Sequence, residues 1–147
     1  MPIRYDQIET KIPKLPRRAI NNWVKNTAFQ YNKRVGEIAY IFCSDEEILR
    51  INREYLKHDY YTDIITFDYS EEDTISGDLF ISLDTVKSNS QQYNTDFIEE
   101  LHRVMIHGIL HLCGFQDKTL KDEKAMRNRE NAALLAYSSI QNSLTGK

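Results

Sequence analysis

The stretch His107-Gly-Ile-Leu-His111-Leu-Cys-Gly114-Phe-Gln-Asp117 decides how the rest of the chain is read. On a helix, two histidines four residues apart lie one above the other on one face. Their imidazoles then reach a single metal ion. Zinc takes three or four ligands, so the pair needs a third. Gly114 suits the left-handed conformation that ends a helix and turns the chain back. That turn carries Asp117 toward the two rings. A His, His, Asp set with an open position is the arrangement of a catalytic ion rather than a closed structural one. Each piece alone is ordinary, since such a histidine pair arises by chance and so does an aspartate in a turn. The combination weighs more, because only four histidines occur in 147 residues and two of them form this pair.

The spacing resembles the zincin motif H-E-x-x-H-x-x-G-x-x-H, with Gly108 where that motif has glutamate. The glutamate is the general base of peptide hydrolysis, so the metal-binding part is kept and the protease base is absent.

The composition excludes several classes. With 41% hydrophobic and 28% charged residues the chain reads as a globular protein, and its length favours one domain over residues 1–147. No apolar run approaches the roughly 18 residues of a membrane span, and the N-terminus has no signal-peptide core. A cytoplasmic protein with no membrane partner is expected. Cys43 and Cys113 make no disulfide framework and read as reduced, buried thiols. The net charge is -3, but its distribution is uneven: residues 1–36 balance at +6, residues 37–100 at -12 and residues 101–147 at +3. The basic segment, with Arg17, Arg18 and Lys25 on a predicted helix, is a candidate phosphate-binding face. A solvated helix surface is the plainer alternative.

In chain order, the patterns predict strands over residues 3–9, 37–43, 64–69 and 77–82. Helices are predicted over residues 17–31, 45–55, 83–93, 96–112 and 119–142. Gly36 is read as ending the first helical unit. Ser44-Asp-Glu-Glu47 is a capping box. Ser82 or Asp84 caps the third helix. Ala125, Met126, Ala132, Ala133, Leu135 and Ala136 are read as the apolar residues of the last. The outcome is an α+β fold, a single domain with a small mixed four-stranded sheet packed against about five helices, one of them the zincin-like metal helix.

Two further stretches bear on function. Ile51-Asn-Arg-Glu-Tyr-Leu-Lys-His-Asp-Tyr-Tyr-Thr-Asp-Ile-Ile-Thr-Phe67 runs into the third predicted strand, and Gly77-Asp-Leu-Phe-Ile-Ser82 is the fourth. Together with His107–Asp117 they resemble, in the same order, the signatures L-N-x-x-Y-R-x-K-D-x-P-T-[DN]-V-L-S-F, G-D-[IV]-x-I-S and H-G-x-L-H-L-x-G-[FY]-D-H of the YbeY family. The resemblance implies a metal-dependent, single-strand-specific endoribonuclease of ribosomal RNA maturation, including 16S rRNA 3′ end processing, and of ribosome quality control. It implies Zn²⁺ or another divalent transition metal as cofactor, and RNA and the ribosome or its proteins as partners. The chain departs from the family at the third ligand, where Asp117 replaces histidine, and at Gln116, Leu56 and His58, where the family carries aspartate, arginine and lysine. Lys57 and His58 are the remaining candidates for holding a phosphate, or are solvated loop residues. Tyr60 and Tyr61 stack bases or pack against the loop.

In the metal-hydrolase reading, an ion on His107, His111 and Asp117 lowers the pKa of its bound water toward about 7. Two alternatives stay open. One is a metal-dependent hydrolase of a non-RNA substrate such as a peptide, for which Glu100 is the candidate base. The other is a ribosome-assembly binding module with a non-catalytic metal site.

Overall fold

Residues 34–43 form the strand on which the sheet is built, in a computed structural model that describes residues 3–56 and 62–144. This strand, β2, runs through Ile38, Ala39, Tyr40, Ile41, Phe42 and Cys43 with no polar interruption, and all six are buried. A strand covered on both faces needs no alternation. β1 (Ile3–Ile8) pairs with it in parallel on one side, and β4 (Thr74–Ser82) in parallel on the other. β3 (Ile64–Asp68) closes the sheet at the far edge, antiparallel to β4. The order is β1-β2-β4-β3. In β4 the alternation is clean: Ile75, Gly77, Leu79 and Ile81 are buried and the residues between them are less so.

Five α-helices cover this sheet. α1 (Arg17–Gln30) is the crossover between the parallel strands β1 and β2. α3 (Leu83–Gln92), α4 (Phe97–Leu112) and α5 (Leu120–Leu144) join α1 over the face that carries Ile38, Tyr40, Phe42, Leu79 and Ile81. α2 (Asp45–Ile51) covers the other face, where Ile48 and Ile51 meet Cys43 and Ile65. The predicted α+β class, mixed sheet and helix count therefore hold. No helix among the described residues is long and apolar enough to cross a membrane. Both cysteines are buried and free, and burial pushes the thiol of Cys43 up to about 12 and that of Cys113 to about 11.

Several boundaries differ from the expectation, each for a local reason. Gly36 does not end the helical unit. It lies inside β2, at a register irregularity between Val35 and Ile38, where any side chain would run into Ser76 and Thr74. β4 begins at Thr74, because its backbone pairs with Arg34 and Val35 across what reads as a solvated turn. Ser44 does cap α2, its Oγ accepting the Glu47 N–H at 3.2 Å, but Glu47 directs its carboxylate to Arg50 at 2.6 and 2.9 Å. α2 does not continue to Tyr55 as an α-helix; it widens into a π-helical turn over Asn52–Leu56. The cap of α3 is Ser82, whose Oγ accepts from Thr85 at 3.1 Å, not Asp84. On α5, among residues 120–139, the buried positions are Met126, Glu130, Ala133 and Tyr137, while Ala132, Leu135 and Ala136 face outward.

α4 is the innermost helix. Leu101, Val104, Met105, Ile106, Ile109 and Leu110 are all buried. Gly108 lets it lie close on the sheet: a Cβ there would sit 2.9 Å from Ile64 Cδ1 and 3.2 Å from the methyls of Leu79. The position where zincins carry their base thus faces the sheet.

Candidate metal centre

α4 starts at Asp96, whose Oδ2 accepts the N–H groups of Ile98 and Glu99 at 3.1 and 3.3 Å. Its end is equally defined. Gly114 has φ 105°, and its N–H donates to the His111 carbonyl at 2.9 Å while the Phe115 N–H donates to Leu110 at 3.2 Å. This pair of bonds is the Schellman closure, in which a residue with positive φ reverses the chain. Phe115 then packs edge-on against Tyr31, with the Arg129 guanidinium 3.8 Å from its ring centre. Two residues later Asp117 comes back over the helix.

The three predicted ligands meet. Asp117 Oδ2 lies 3.3 Å from His107 Nε2 and 3.3 Å from His111 Nε2. One donor atom from each residue lies within 4.8 Å of the other two, and all three side chains are partly exposed. Three nitrogen and oxygen donors that close together fit a divalent transition metal with room for a further ligand.

Sequence reading did not find the group that orients the first histidine. Glu130 is buried on α5, and its Oε2 lies 2.6 Å from His107 Nδ1. Arg103 donates to the other carboxylate oxygen at 3.0 Å and to Asn131 Oδ1 at 2.8 Å. Burial alone would raise the pKa of Glu130, but the hydrogen bonds and charges of His107 and Arg103 hold it below the usual carboxylate range. Burial alone would keep His107 neutral; the bond to Glu130, with the charges of Glu130, Asp117 and Asp63, outweighs it and raises its pKa. An ionised Glu130 accepts the proton on Nδ1, which leaves the Nε2 lone pair pointing toward Asp117. This carboxylate–imidazole pair is the usual support of a metal-bound histidine. Glu130→Gln is expected to lower metal affinity about 10- to 100-fold with little loss of fold, measured by competition with a chelating dye. Unchanged affinity would remove Glu130 from this role. Gly114→Ala is expected to cost about 1–2 kcal/mol in urea unfolding and to weaken metal binding, because nothing within 4 Å crowds a Cβ there and the penalty is the positive φ itself.

A cleft of about 440 Å³ opens over the three residues, with Asn52, Leu56, Asp63, Thr66 and Gln116 in its wall. Burial raises the pKa of Asp63. A second cavity, of about 250 Å³, shares His107, Asp117 and Asp63 and adds Glu100, Arg103 and Arg127. Glu100 therefore lies near the centre but does not contact the ligands through any hydrogen bond, and burial raises its pKa too. Arg17, Arg18 and Lys25 lie on α1 and line neither cavity; the guanidinium of Arg17 sits 4.9 Å over the Tyr5 ring. Lys57, His58, Tyr60 and Tyr61 fall outside the described residues.

The family model for endoribonuclease YbeY matches residues 3–138. The chain belongs to the YbeY family. Its similarity to proteins named endoribonuclease YbeY is high: 59% identity over 134 residues with that of Bacteroides fragilis and 58% with that of Azobacteroides pseudotrichonymphae, covering 91% of this chain and 96% of each relative. The fold matches a solution structure of a Thermotoga maritima protein with a TM-score of 0.67 at 25% identity, covering 96% of this chain and 92% of that one. The YbeY match spans the sheet, the α4 histidines, Asp117 and the α5 glutamate that holds His107.

Proposed function

We propose that His107, His111 and Asp117 hold one divalent transition-metal ion, Zn²⁺, and that RNA is hydrolysed at this centre. As a member of the YbeY family the chain is an endoribonuclease, a hydrolase of RNA phosphodiester bonds that acts in ribosomal RNA maturation. The finer reading is cleavage of single strands, including the 3′ end of 16S rRNA, by a cytoplasmic protein that meets its substrate on the ribosome. A role in ribosome quality control belongs to the same reading. The observation that carries it is the convergence of three donor atoms within 4.8 Å in the lining of an open cleft.

When bound, the ion supplies Lewis acidity toward a phosphoryl oxygen and makes water a stronger acid. The chain does the rest. Glu130 holds His107 in the tautomer that leaves Nε2 free, and Arg103 keeps Glu130 ionised and in place. Asp117 adds a negative oxygen to the ligand set. Leu56, Ile64 and Ile65 add apolar lining to the cleft. The exposed bases of α1, Arg18 and Lys25, guide the RNA backbone from outside the cleft. The test is removal and return of the metal. Protein dialysed against a strong chelator should lose cleavage of a single-stranded RNA and regain it with stoichiometric Zn²⁺. Full cleavage by metal-free protein would overturn the reading.

A further inference from the structure

The two arginines of the 250 Å³ cavity are in different situations. Arg103 is committed to Glu130 and Asn131. Arg127 is exposed, and among the described residues no hydrogen bond or ion pair holds its guanidinium. It lies three residues before Glu130 on α5, so the two share a helix face. The helix that orients His107 thus also presents a second guanidinium beside the same centre, with the Glu100 carboxylate as its charge neighbour.

The charges around it give that guanidinium a purpose. The described wall of the 440 Å³ cleft contains Asp63, Asp68 and Asp117 and no lysine or arginine. Asp63 and Glu100 add carboxylates to the smaller cavity. A phosphodiester drawn to a metal here meets several acids and, of the two arginines lining the smaller cavity, only Arg127 is not already bound to a carboxylate. A planar guanidinium donates two parallel hydrogen bonds to phosphate oxygens. We propose that Arg127 is a substrate-binding residue that grips an RNA phosphate next to the metal centre, a role that rests on the RNA-hydrolase reading above.

The experiment uses metal-loaded full-length protein and a short fluorescent single-stranded RNA, with binding read in a stopped-flow before the RNA is cut. Arg127→Ala should weaken binding about 10- to 100-fold. It should also reduce the slope of log affinity against log salt by about 0.7, the loss of one phosphate contact to a single strand. Metal content and thermal midpoint should stay as in the wild type. Arg127→Lys should restore the slope and only part of the affinity, because it returns the charge without the fork. Lys121→Ala, which removes an exposed charge of the same helix outside the cavity wall, should change affinity less than about twofold. An alanine variant with wild-type affinity and slope overturns the proposal while leaving RNA hydrolysis intact, and so does a loss at Lys121 equal to that at Arg127. Wild-type protein that neither binds nor cuts the RNA overturns the hydrolase reading itself, and Arg127 with it.

Discussion

His111→Ala should bring bound metal from stoichiometric to background and reduce RNA cleavage by more than about 100-fold. Losing a residue that merely supports a ligand already costs about 10- to 100-fold in metal affinity or activity. Losing a ligand itself leaves His107 and Asp117, fewer donors than a stable zinc site uses. The fold should survive. His111 lies in the last turn of α4, is partly exposed, and its backbone carbonyl, which the substitution leaves in place, makes the bond that closes the helix. The check pairs metal analysis with a cleavage assay and a thermal melt on the same sample. Retained cleavage with no metal bound would remove the ion from the chemistry. Retained metal would remove His111 from the ligand set.

Trp23→Ala should cost about 3–5 kcal/mol of stability, a large share of the roughly 5–15 kcal/mol that holds a domain together. Trp23 is 1% exposed and is the only tryptophan in the chain. Its ring lies 4.6 Å from Tyr137 and 5.9 Å from His102, centre to centre, and its Nε1–H donates to the Ala133 carbonyl at 2.8 Å. One side chain therefore ties α1 to α4 and to α5. The thermal midpoint should fall by about 10 °C or more. Urea unfolding followed by far-ultraviolet circular dichroism measures the cost, since the variant has no tryptophan to report. Trp23→Phe, which keeps an aromatic ring and removes the N–H, should cost only about 1–2 kcal/mol beyond the smaller ring volume. A loss below about 1 kcal/mol in the alanine variant would mean that the three helices do not depend on this contact.

The candidate ligand cluster was legible because its geometry is local. Helical spacing aligns His107 with His111, and a glycine at the helix end returns the chain by Asp117. The second matched stretch held a further clue, since Asp63 stands in it and forms part of both cavities. Glu130 was not legible. It meets His107 only because α5 packs against α4, and within its own helix it is one acid among several charges. The face of α5 was misread for a related reason: small alanines give no strong period, so Leu135, 71% exposed, looked like core and Tyr137 did not. The early start of β4 was hidden because strand pairing uses backbone groups, and acidic side chains that point to water do not prevent it.

The proposed ligand set of two imidazoles and a carboxylate has a consequence for the protein under oxidants. Peroxide attacks thiolates, and cysteine-held ions are released when their sulfurs climb to sulfenic acid or disulfide. Here no sulfur belongs to the cluster, and both thiols in the chain are buried in their protonated form. Mild peroxide that strips zinc from a thiolate site should leave this centre loaded and the enzyme working.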